Sequence, residues 1–131
     1  MTRRGWWLLL LATAACRNEN RPAIAVFPER VDGGWRRVEL RVVPVSEAPD
    51  PVPRNSVERL EAAVYEGPGR LEARAYELTS PTVGLDLAQR WRPSADTVFF
   101  WAGRYFVVVK WQQADRGALR RFTREIEHRV K

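Results

Sequence analysis

The chain has 131 residues, 45% of them hydrophobic and 29% charged, the balance of one soluble domain rather than of a disordered or fibrous chain. A domain of this size removes roughly 65% of its unfolded surface from water, enough for one core without covalent staples. A single cysteine and a single histidine exclude a disulfide framework, a CxxC redox motif and a structural zinc site made of protein ligands alone. No residue pattern asks for a cofactor or a metal.

At the front, Arg3 and Arg4 precede the apolar run Trp6 to Ala12, and the small residues Thr13, Ala14 and Ala15 lead to Cys16. The run falls well short of the ~20 apolar residues of a membrane-crossing helix and carries its positive flank on the N-terminal side, so residues 1–15 read as a signal peptide. With its sole cysteine at the end of the small-residue tract, the segment Met1 to Arg17 resembles a bacterial lipoprotein precursor. That resemblance implies cleavage between Ala15 and Cys16, a diacylglyceryl group on the Cys16 thiol and a fatty acid such as palmitate on the new amine. It also implies a cell-envelope address, with the domain in the periplasm or outside the cell. Arg17 stands where Asp would signal inner-membrane retention, which favours the outer membrane in a Gram-negative cell. Each buried methylene contributes ~0.8 kcal/mol, so two or three chains hold a protein on a bilayer where one is marginal. The competing reading is cleavage after Ala12-Thr13-Ala14, which would release a soluble ligand carrier with a free thiol.

Of the 22 basic residues, two lie in the leader, leaving 20 against 16 acidic ones in the mature chain, a formal +4. A basic balance raises nucleic acid as a partner, and export sets it aside. The expected partners are the membrane, reached through lipidated Cys16, and an envelope protein or apolar ligand.

Residues 16–23 form a short polar tether and 24–131 one domain. Across Trp35 to Val43, Val38, Leu40 and Val42 alternate with Arg37, Glu39 and Arg41, the period of a half-buried strand. Pro44, Pro49, Pro51 and Pro53 make 44–55 an irregular surface loop. Gly67-Pro68-Gly69 turns a hairpin whose faces separate best when Glu66 lies opposite Leu71, Val64 opposite Ala73 and Leu60 opposite Glu77. Ser80 and Pro81 open a short helix with an apolar stripe of Val83, Leu87, Ala88 and Trp91, ending before Pro93. A second hairpin spans Thr97 to Trp111, with Gly103-Arg104 as a type II′ turn and apolar residues on both sides, the mark of central strands. Asp115 caps a last helix whose stripe is Leu119, Phe122, Ile126 and Val130. The expected fold is α+β: a two-layer arrangement of about five antiparallel strands with two helices on one face, built from two hairpin-then-helix units. The segment from Tyr65 to Trp111, with its Tyr-Glu-Gly-Pro-Gly turn and the strand Gly103 to Val109, resembles an uncharacterised family of exported bacterial proteins. That resemblance implies no particular activity.

Catalytic chemistry finds little footing. His128 sits near the end of the last helix, where a solvent-facing cation suits the helix dipole better than a catalytic role. Glu58 with Glu61, Glu66 with Glu72, and Asp86 with Asp96 are conceivable acid pairs, but acids at such spacings are ordinary solubility residues. GxSxG, HExxH, Walker and dinucleotide motifs are missing, so the expectation is no enzyme. The alternative is a small envelope enzyme or enzyme accessory using acids on an open sheet face.

Two surfaces stand out. Arg116, Arg120, Arg121 and Arg124 form a basic stripe on the last helix, suited to anionic headgroups; the plainer reading is a solvated face partly neutralised by Glu125 and Glu127. Phe99, Trp101 and Phe106 share the sheet side away from the expected helices, as an aromatic partner surface. The plainer reading is that Phe27, Trp35 and the proline-rich segment cover them.

Overall fold

The computed structural model describes residues 25–131; the signal peptide, Cys16 and the whole of the tether lie outside the described residues. Among the described residues, six strands form one antiparallel sheet. They are β1 (Arg30–Val31), β2 (Trp35–Val43), β3 (Val57–Glu66), β4 (Arg70–Leu78), β5 (Thr97–Ala102) and β6 (Tyr105–Gln112), in the spatial order β1-β2-β3-β4-β6-β5. Helix α1 (Pro81–Arg90) follows the first hairpin and α2 (Arg116–Val130) follows the second. The α+β class and the two hairpin-then-helix units match the sequence expectation, with one more strand: the two-residue β1, too short to show periodicity.

Local chemistry fixes the element ends. Asp115 accepts the Ala118 N–H at 2.9 Å and caps α2, satisfying one of the free donors of the first turn. Ser80 precedes Pro81 at the start of α1, without a side-chain cap bond; Pro81 supplies the preset φ of a first-turn residue. Gly103 has φ +57° and Ala102 lies opposite Tyr105, the two-residue turn expected for β5–β6. Arg104 is not in the positive-φ region, which separates this turn from type I′.

The helices do not share a face of the sheet. Helix α2 packs Leu119, Phe122, Ile126 and Val130 against Ala63, Tyr65, Leu71, Ala73 and Val107, joined by Phe27 and Trp35. Helix α1 packs Leu87 on the opposite face against Leu78 and Phe106, beside Leu60, Tyr76, Ala48 and Val52. The expected two-layer arrangement with both helices on one side is corrected here. Strand β6 is apolar on both faces, and β4 buries Leu71, Ala73 and Ala75 on one face and Tyr76 and Leu78 on the other, so each face takes its own cover. The loop 44–55 is likewise more than a surface connection. Its Ala48 and Val52 are buried in the second core, between two short 3-10 turns.

Two local expectations also change. The first hairpin pairs Glu66 with Arg70, Tyr65 with Leu71, Val64 with Glu72 and Leu60 with Tyr76, one residue away from the register that separates polar and apolar faces. The Gly67 N–H closes the loop onto the Gly69 carbonyl at 3.1 Å, and the strands are buried on both sides, so mixing the faces carries little penalty. Glu72 and Arg74 fall on a stretch of the second face where they pair at 3.7 Å, with Arg41 reaching Glu72 at 3.9 Å. In β2 the apolar side expected inside is outside: Val38, Leu40 and Val42 are 46%, 41% and 60% exposed. The cover given by α2 and residues 26–31 ends near Trp35.

Candidate functional site

Because each helix covers only part of its face, the first face keeps an open groove of about 830 Å³ beyond the C-terminal end of α2. Leu40, Ala75 and Tyr105 line it from three strands, Val26 and Phe27 from the N-terminal segment, and Val130 from α2. Arg37, Arg59, Glu61, Glu77 and Arg104 add charge. The N-terminal segment is stitched in place by side chains. Arg37 donates to the Phe27 carbonyl at 2.6 Å, the Tyr65 hydroxyl to the Pro28 carbonyl at 2.6 Å, and Arg129 to the Ala25 carbonyl at 3.3 Å.

The charges of the groove are largely paired. Arg59 contacts Glu61 at 3.0 Å, and Arg104 contacts Glu58 at 2.9 Å while donating to the Leu78 carbonyl at 3.1 Å. Burial, then the nearby carboxylates of Glu77 and Glu61, pushes the Tyr105 phenol above its ordinary value of 10.0. It therefore stays a neutral hydroxyl, able to donate or accept. The arrangement suits an amphipathic guest, with an apolar floor and fixed guanidinium groups along the side. Glu77 was not singled out by sequence reasoning. The rejected register places it opposite Arg59, on the same face as Glu61.

The sequence-selected residues are dispersed. Among the acids, Glu66 pairs with Arg70, Glu72 with Arg74 and Arg41, and Asp86 with Arg90 at 2.9 Å. Phe106 is fully buried and packs with Trp91 at 5.2 Å and Phe99 at 5.4 Å. Helix α1 lies across this aromatic set, so Phe99, Trp101 and Phe106 do not form an open surface; only Trp101 keeps substantial exposure, at 40%. Phe27 and Trp35, expected as part of that cover, belong to the other face.

Arg116, Arg120, Arg121 and Arg124 are all exposed on α2, and among the described residues none of them forms an ion pair. Glu125, expected to neutralise them, instead accepts the Asp32 N–H at 2.7 Å and faces Arg129 at 3.7 Å. His128 is exposed in the last turn of α2. Among the described residues no helix is long and apolar enough to cross a membrane, and no three metal-ligating side chains cluster. No protein-family model matches the chain, and neither a curated protein nor a solved structure does.

Proposed function

We propose that this is a lipid-anchored protein of the cell envelope, held through Cys16, whose domain rests on an anionic membrane surface through α2 and acts by association rather than by catalysis. The observation that carries this reading is the set of four exposed α2 arginines with no carboxylate partner among the described residues. Each basic residue near a negatively charged leaflet contributes ~1 kcal/mol. The position of Ala25 supports it too, since Arg129 holds Ala25 at the C-terminal end of α2. Residues 17–23 reach ~25 Å when extended at ~3.5 Å per residue, comparable with the ~22 Å length of a fifteen-residue helix at 1.5 Å rise. A chain anchored at Cys16 therefore lets α2 lie along the bilayer. The groove beside Tyr105 is then the place for an apolar ligand or a segment of an envelope partner.

The decisive experiment is the intact mass of the protein extracted from native membranes, together with fractionation of Cys16→Ser. The reading expects acyl mass on the peptide beginning at Cys16 and release of the Cys16→Ser protein from the membrane fraction. An unmodified chain that retains residues 1–15 in the cytosol overturns it.

A further inference from the structure

We propose that the free edge of β2 is a self-association site, at which a second copy of this chain pairs antiparallel about Leu40. Strand β1 borders β2 only at Trp35 and Arg36, and the last rung beyond them is the Arg37 N–H donating to the Glu29 carbonyl at 2.8 Å. Pro28 then lacks an N–H, Phe27 turns into the core, and a register shift interrupts β2 between Arg37 and Glu39. Among the described residues no strand borders Val38–Val43 on its outer side. An edge with unpaired backbone groups is a template for another strand, and this one presents Val38, Leu40 and Val42 at 46%, 41% and 60% exposure.

The residues between them decide the occupant. Charged side chains on an edge ordinarily oppose pairing with a like strand, yet here they complement their own copy. With the two-fold axis at Leu40, Glu39 faces the second copy's Arg41, Arg41 faces its Glu39, Val38 faces its Val42, and the two Leu40 side chains meet. Moving the axis to Glu39 sets Glu39 against Glu39 and Arg37 against Arg41; moving it to Arg41 sets Arg41 against Arg41. Of these three registers, the one about Leu40 matches both charge and hydrophobicity, as an isologous contact requires. Glu39 and Arg41 already pair at 3.2 Å within one chain, so the two copies complete a ring of four alternating charges. A strand ribbon of this length buries less than a standard interface, and the dimer is concentration-dependent. Lipid attachment plays no part in this geometry.

Sedimentation equilibrium on the full chain, purified in detergent, tests the proposal. A monomer–dimer equilibrium is expected for the native protein. Glu39→Arg and Arg41→Glu should each raise the dissociation constant about tenfold or more, because each opposes like charges twice across the axis. Mixed in equal amounts, the two variants should form a heterodimer, in which every opposed pair is again attractive. A purely structural effect of either substitution would not be reversed by mixing. Leu40→Cys should give a disulfide-linked dimer, since opposed strand residues lie ~4.5–5.5 Å apart between Cα atoms, while Leu85→Cys, exposed on α1, should not exceed the native background. A monomer up to the solubility limit, or a dimer that mixing fails to restore and Leu40→Cys fails to link, overturns the proposal.

Discussion

The Trp35 indole N–H donates to the Ala118 carbonyl at 2.9 Å, joining the first residue of β2 to the first turn of α2 across 83 positions of sequence. The same ring meets Phe122 edge-on at 6.0 Å, and Tyr65 meets the other side of that cluster at 4.9 Å from Phe122. This aromatic chain seats α2 on the sheet, and edge-to-face pairs add to the stabilisation from burial alone. Trp35→Phe should keep most of the packing but lose the buried donor, destabilising the domain by about 1–3 kcal/mol. Trp35→Ala should cost about 3–5 kcal/mol through the cavity it leaves. Urea unfolding measures both. Equal losses for the two variants would mean that ring volume contributes nothing.

Gly67 carries φ +154°, and a Cβ there would stand 2.1 Å from the Gly34 carbonyl oxygen. The hairpin turn and the β1–β2 turn touch through backbone at this point, and neither can yield cheaply. Gly67→Ala should destabilise by more than about 2 kcal/mol, from strain and the forced separation together. Gly34→Ala, whose Cβ would meet only Pro68 side-chain atoms at 3.6 Å, should cost about 1 kcal/mol for its positive φ. Thermal melts of the two variants give the order directly.

These turns also show what the sequence could reveal. Strand and helix positions follow from short-range rules: alternation in β2, Asp115 before α2, Gly103 in its two-residue turn. The register of β3 with β4 does not. The hydrophobic pattern selects a register only where one face is buried and the other wet, whereas Ala63 and Leu60 both lie in cores, on opposite faces. The same two-sidedness hid the division of the helices, because the apolar stripe on α1 names no face to cover. The groove was invisible for a further reason. It arises where α2 stops, and Tyr105, Glu61 and Glu77 meet there only in the register that pattern matching rejects.

The core itself should be intolerant of charge. Val107 is fully buried between Ala75 and Phe100 in the ladder and packs toward α2. Val107→Asp would bury an unpaired carboxylate, with a loss of several kcal/mol, large against a typical total stability of about 5–15 kcal/mol. Circular dichroism of the purified variant should show loss of cooperative unfolding.

The three tyrosines of the chain should report on folding at alkaline pH. Burial raises Tyr65, Tyr76 and Tyr105 above the ordinary 10.0, while unfolded phenols titrate near that value. Above pH 10 the folded state therefore binds more protons than the unfolded state, and stability falls as pH rises. The contribution is intact below pH 10 and is lost progressively as pH climbs through the raised folded values. Ultraviolet titration should show less phenolate at pH 10 in the folded protein than in the unfolded chain, then a steep cooperative rise as it unfolds. Tyr65→Phe removes the bond to the Pro28 carbonyl at 2.6 Å, so it should lower stability at neutral pH by about 1 kcal/mol while making the alkaline loss shallower.

The α2 stripe gives the membrane reading its sharpest test. Arg116, Arg120 and Arg124 project from exposed positions, whereas the burial of α2 depends on Leu119, Phe122 and Ile126. Changing the three arginines together to Gln should leave the melting temperature within a few degrees of native. At ~1 kcal/mol for each lost contact with an anionic surface, binding to vesicles rich in phosphatidylserine should weaken by about a hundredfold at low salt. Neutral phosphatidylcholine vesicles should show little difference between the two proteins. Because the attraction is screened within a Debye length of ~10 Å at 0.1 M salt, native binding should fall steeply with ionic strength and the triple variant, which keeps Arg121, should depend on it much less. Equal binding of both proteins to anionic vesicles at low salt would remove α2 from the membrane and leave its arginines as a solvated face.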